Sequence, residues 1–191
     1  MAIVLSIVAV SIGFLVLSST IEAKEILIPH SRGWDLNFLD LSDVRLSGNA
    51  REIARPVIEN KSTYIKNFYV SFEKTGDSAT YVLTVKNNGK FDARISSISF
   101  TKPVCHGSGK NSINDSKLVC DNIEFFVKDS SGRNIKTGDI LKRKDKENLE
   151  VTIRYTGKMP VETVEVENLS MTIIYVQEWG RWKIWKEKME K

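Results

Sequence analysis

From Lys24 onward the apolar residues of this 191-residue chain recur at every second position. That period admits strands and excludes amphipathic helices. Trp34, Leu36 and Phe38 alternate with Asp35 and Asn37, and Phe68, Val70 and Phe72 alternate with Tyr69 and Ser71. Tyr81, Leu83 and Val85 repeat the pattern, as do Leu149, Val151, Ile153 and Tyr155. Leu169, Met171, Ile173 and Tyr175 close the series. Each segment offers one face to a core and one to water, as an antiparallel sheet requires.

Turn chemistry punctuates these runs. Lys74-Thr75-Gly76-Asp77, Asn87-Asn88-Gly89-Lys90, Asp129-Ser130-Ser131-Gly132, Thr137-Gly138-Asp139 and Gly157-Lys158-Met159-Pro160 supply residues that accept turn geometry at low cost. The second and third of these read as hairpins. Only Asn49 to Ile58 hints at a helical turn, limited by Pro56. The expected fold is all-β: one immunoglobulin-like or jelly-roll antiparallel β-sandwich of about seven to nine strands, preceded by an apolar leader helix. The expected boundaries are a leader at 1–23, an N-terminal extension at 24–48, the sandwich at 49–178 and a tail at 179–191.

Ala2 to Leu17 contains no charged side chain. At ~1.5 Å per residue a helix of this length is about 24 Å long, short of the ~30 Å hydrocarbon core. The run reads first as a secretory signal peptide, with a cut after Ala23 or after Ser19. No Lys or Arg precedes it, so a retained N-terminal helix, serving as a membrane anchor through residues 2–21 or as a pilin-like assembly helix, is the alternative.

An exported chain with two cysteines predicts one disulfide, Cys105–Cys120, across a polar loop from His106 to Val119. Metal ligation would need more ligands than His106 adds, so neither a metal nor a cofactor is expected. His30 and His106 are the only histidines, and no nucleophile, zinc or phosphate-binding motif occurs. The chain does not read as an enzyme, and no catalytic residue is assigned. Asn60, Asn114 and Asn168 open sequons, the first two in expected loops.

Formal net charge is +4 with a pI near 9.0. The charges interleave, as on a solvated sheet face, apart from Lys142-Arg143-Lys144 with Lys146 and the tail Arg181, Lys183, Lys186, Lys188 and Lys191. Without a recognition motif this does not indicate a nucleic-acid partner. Trp179, Trp182 and Trp185 lie among the tail's basic residues. They read as caps on a sandwich edge, or else as an anchor at a membrane surface or partner groove.

Thr75-Gly76-Asp77-Ser78-Ala79-Thr80-Tyr81 running into Val85-Lys86-Asn87-Asn88-Gly89-Lys90-Phe91-Asp92-Ala93 resembles the strand–turn–strand of exported TasA/camelysin-like proteins. Asp129 to Gly132, Thr137 to Leu141, Val164 to Ser170 and Ile174 to Gln177 continue the order, over roughly residues 65 to 178. The resemblance implies a secreted fibre subunit of the cell surface or a biofilm, whose partners are copies of itself. Such subunits lend an N-terminal strand to the next copy's sheet, a case of β-augmentation. The segment carrying Ile26 and Ile28, or that carrying Trp34, Leu36 and Phe38, would then be the donor. A membrane-tethered immunoglobulin-like module, binding other surface proteins, is the rival expectation.

Overall fold

The computed structural model describes residues 15–25, 33–59 and 64–178. In chain order the strands are β1 (Leu15–Glu25), β2 (Leu36–Leu41), β3 (Arg45–Ser47), β4 (Arg51–Ala54), β5 (Val57–Glu59), β6 (Tyr64–Phe72), β7 (Ser78–Asn87), β8 (Asp92–Thr101) and β9 (Val104–Gly107). The helix α1 (Ser112–Cys120) follows, then β10 (Ile123–Lys128), β11 (Ile140–Leu141), β12 (Lys146–Tyr155) and β13 (Val164–Glu178). They form two sheets, as the alternation predicts. The larger runs β11-β8-β13-β1-β6-β4, with β9 beside β13 and β5 beside β6. The smaller runs β10-β12-β7-β2, with β3 also beside β7.

The alternating residues face inward. Phe68, Val70, Phe72, Tyr81, Leu83, Val85, Val151, Ile153, Met171 and Ile173 are fully buried. Phe68 meets Tyr81 edge-on, ring centroids 4.8 Å apart, so the two sheets are joined by an aromatic pair. At the β6–β7 crossing, Gly76 takes a φ of 91°, a conformation cheap only for glycine. The buried Asp77 carboxylate accepts from the Glu73 and Lys74 amides through one oxygen and from the Asn49 amide through the other.

Several local expectations are corrected. Leu15 to Ala23, expected within a helical leader, lies in the strand β1 (Leu15–Glu25), while residues 1–14 lie outside the described ones. Asn49 to Ile58 yields β4 and β5 rather than a helical turn; pairing with β6 satisfies backbone groups that Pro56 denies a helix. Asn87 to Lys90 is not a hairpin: β7 and β8 belong to different sheets. The Asn87 side chain, fully buried, donates to the Phe91 and Leu141 carbonyls and accepts from the Gly89 amide, holding the chain in an arch between sheets. The loop expected from His106 to Val119 contains the end of β9 and most of α1. Cys105 and Cys120 are joined, tying β9 to the last residue of that helix. Within the expected extension at 24–48, β2 belongs to the sandwich: it pairs with β7 and buries Leu36 and Phe38.

Candidate assembly site between β6 and β13

β1 lies between β6 and β13 at the centre of the larger sheet. Against β6 it runs antiparallel, from Leu15 opposite Phe72 to Glu22 opposite Tyr64. Against β13 it runs parallel, from Leu15 opposite Val164 to Glu25 opposite Tyr175. This is the single parallel pair among the described strands.

The parallel pairing matters topologically. A strand parallel to its neighbour cannot be joined to it by a tight turn. β1 therefore enters the sheet from one side and leaves it through residues 26–35, which lead to the opposite sheet. All the other strands keep a paired neighbour without it. β1 thus fills a slot that the rest of the domain forms around it, about 36 Å long at ~3.3 Å per residue.

The strands on either side of β1 carry fully buried apolar residues. On β6, Ile65, Phe68, Val70 and Phe72 have no exposed surface; on β13, Val164, Met171 and Ile173 have none either. The residues of β1 in register with these, Leu15, Leu17, Ser19, Ile21 and Ala23, occupy alternate positions. Beyond the last β1 register pair stands Gln177, 8% exposed, with neither side-chain amide atom hydrogen-bonded. Burial also raises the hydroxyl pKa of Tyr175 on β13 and of Tyr81 beneath β6 well above the ordinary tyrosine range; the Glu52 carboxylate adds to the effect at Tyr81.

The residues expected to donate a strand are not brought together. Leu36 and Phe38 are 2% exposed in β2, and Trp34 is half-buried against the same core. Ile26 and Ile28 lie outside the described residues, as do His30, Asn60 and the Trp/Lys tail. Asn114 is exposed, but on α1 rather than a loop, and Asn168 lies in β13. His106 is exposed on β9, its Nε2 4.0 Å from a Glu167 carboxylate oxygen. Among the described residues no three metal-ligating side chains converge, and no helix is long and apolar enough to cross a membrane.

β1 is what sequence reasoning missed. Its signal was the β-branched and hydroxyl-rich half of the apolar run, Ser18-Ser19-Thr20-Ile21, which favours a strand over a helix. No known protein family matches the chain, and no curated protein is significantly similar to it.

Proposed function

We propose that this protein is the structural subunit of an extracellular filament or surface layer, and that its copies join by exchanging β1 into one another's slot between β6 and β13. The observation that carries the reading is that the central strand β1, between β6 and β13, is joined to the next described strand through residues 26–35. That connection reaches at most about 35 Å when extended, enough for β1 to enter a neighbouring copy. In trans, β1 would satisfy the same edge N–H and C=O groups and cover the same apolar walls, so exchange costs little in contacts. The disulfide fits an oxidising compartment outside the cytosol. The donor is then β1, upstream of the segments that the resemblance pointed to.

A membrane-tethered immunoglobulin-like module is the second reading. It is favoured by the fact that β1 completes the sheet within its own chain, which leaves a monomer no open slot. Negative-stain imaging and denaturant-resistant ladders of the exported protein decide between them. Filaments or ladders that disappear when Ile21→Asp is introduced into β1 support exchange. A folded monomer at every concentration refutes it.

A further inference from the structure

We propose that the end of the sandwich where β7 passes into β8 binds a linear acidic polysaccharide, on a site built around the β11–β12 loop. The proposal rests on the export part of the reading above, which puts such polymers within reach, and not on strand exchange. Lys142, Arg143 and Lys144 lie on this loop and Lys146 opens β12. The fold adds Lys86, the register partner of Lys146, and Lys90 of the Asn87 arch. Val85 and Leu149 are buried, so by alternation Lys86 and Lys146 share the outer face of the smaller sheet. Near these six cations stand Asp35, Asp92 and Asp145. None of the six forms an ion pair among the described residues. Asp92 and Asp145 accept instead from the backbone amides of Arg143 and Lys146.

The loop is held from both sides. The Lys144 amide donates to the Asn87 carbonyl, and its ammonium group donates to that of Asn88. The Asn87 amide donates to the Asp145 carbonyl, and the Asp145 amide to that of Lys142. The cations are therefore presented without a loop that must order on binding. Two local choices here run against stability. Like charges directly opposite on paired strands repel, and Lys86 faces Lys146. Lys144 has a φ of 65°, a conformation that Gly or Asn adopts more cheaply. Local rules are broken in this way chiefly at functional sites.

The side chains beside the cations select the class of partner. Lys142 and Lys146 line an open cleft of about 340 Å³ together with Ser130, Asp145, Glu147 and Asn148. Asn148 Oδ1 already accepts from Thr84 Oγ1, which leaves its amide N–H groups as donors. A hydroxyl, an amide and two carboxylates suit the hydroxyls of a sugar, while ammonium groups at the rim take the carboxylates of an acidic chain. A lipid surface calls for apolar or aromatic side chains to insert, and a nucleic-acid strand for aromatic platforms. Residues 142–146 supply neither, and Phe100, the exposed aromatic among the described residues, lies at the far end of β8.

The test measures binding of the purified full chain to immobilised polygalacturonate, which carries a carboxylate on every sugar residue. The wild type should bind, and roughly tenfold more weakly at physiological than at low salt. Lys86→Gln/Lys142→Gln/Arg143→Gln/Lys146→Gln should lose about tenfold or more in affinity, with an unchanged or higher Tm because the Lys86–Lys146 repulsion is gone. Lys74→Gln/Lys102→Gln/Lys110→Gln/Lys158→Gln removes as many exposed cations away from this end and should bind as the wild type does. No binding by the wild type, or an equal loss in that matched variant, overturns the proposal. Binding to anionic lipid vesicles or single-stranded DNA as tight as to polygalacturonate overturns the class of partner, and the proposal with it. Cell fractionation reads export separately: a chain kept in the cytosol refutes the export reading, whereas binding is decided on the purified protein.

Discussion

Replacing both cysteines by serine tests how the disulfide acts. The bridge joins residues 15 apart in sequence, and closing a loop of that size stabilises by about 3 kcal/mol, mainly by restricting the unfolded chain. For a domain of this size each kcal/mol moves Tm by roughly 2–4 °C, so Cys105→Ser/Cys120→Ser should lower Tm by about 6–12 °C. The fold should survive, because a typical domain holds about 5–15 kcal/mol and the bridged segment has other attachments. The Gly107 amide donates to Ser116 Oγ, the Glu162 amide donates to Asp115 Oδ2, and Val119 is fully buried. Circular dichroism melts read the shift, and hydrogen exchange should show faster opening confined to residues 104–122. A fall under ~2 °C would refute the loop-entropy argument. Loss of the sheet signal at 25 °C would refute the claim that the core stands without the bridge.

Two further outcomes follow from buried polar groups. Gln177→Met should stabilise the domain by about 1–3 kcal/mol, because it removes a buried amide without hydrogen-bond partners and keeps the volume; a lower Tm would show that the amide is satisfied. Tyr81, Tyr155 and Tyr175 all have raised hydroxyl pKa values, with burial the largest cause. A raised folded-state pKa contributes stability that is fully present below the unfolded value of about 10 and lost as pH rises through the folded values. Stability should therefore hold to about pH 10 and fall steeply above it. Reversible phenolate absorbance from all five tyrosines near pH 10 in the folded protein would refute this.

What the sequence conveyed was the part of the fold governed by period two. The strands around Phe68, Tyr81, Leu149 and Leu169 bury the residues that alternation selects, because a half-buried strand leaves no other arrangement for them. The arch at Asn87 escaped because Asn-Gly chemistry fixes a turn but not whether its strands share a sheet; two carbonyls 4 and 54 residues away decide that. α1 escaped because only Asp115 and Val119 are buried on it, too few to produce a helical stripe. β1 escaped for the opposite reason. It begins inside the uncharged apolar run Ala2 to Leu17, which carries no period and reads as a leader helix. The candidate site was illegible for the same cause, since it consists of that strand and the walls around it.

The direction of β1 bears on what exchange can build. β1 ends opposite Tyr175, and β2 begins opposite Asn87. Asn87 leads directly into β8, whose first residue pairs with Glu178, so both points lie at the same end of the sandwich. A donated strand that keeps its direction leaves the acceptor at that end and re-enters its own domain at the same end. With a connection of at most about 35 Å, the two ends must face each other. Two copies exchanging in this way fill both slots and close a two-fold pair. An open filament needs either a connection drawn nearly straight along a slot of similar length, or a strand inserted in the reverse sense, parallel to β6. Reverse insertion joins the exit end of one copy to the entry end of the next and leaves one slot open at each step. Mass photometry separates the closed pair from the open arrangements, because like-direction exchange through a short connection stops at two copies, whereas the extended connection and reverse insertion both give a ladder. A ladder in which a cysteine at Thr20 still cross-links to one at Ser170, its register partner in the parallel arrangement, would refute reverse insertion and require the extended connection.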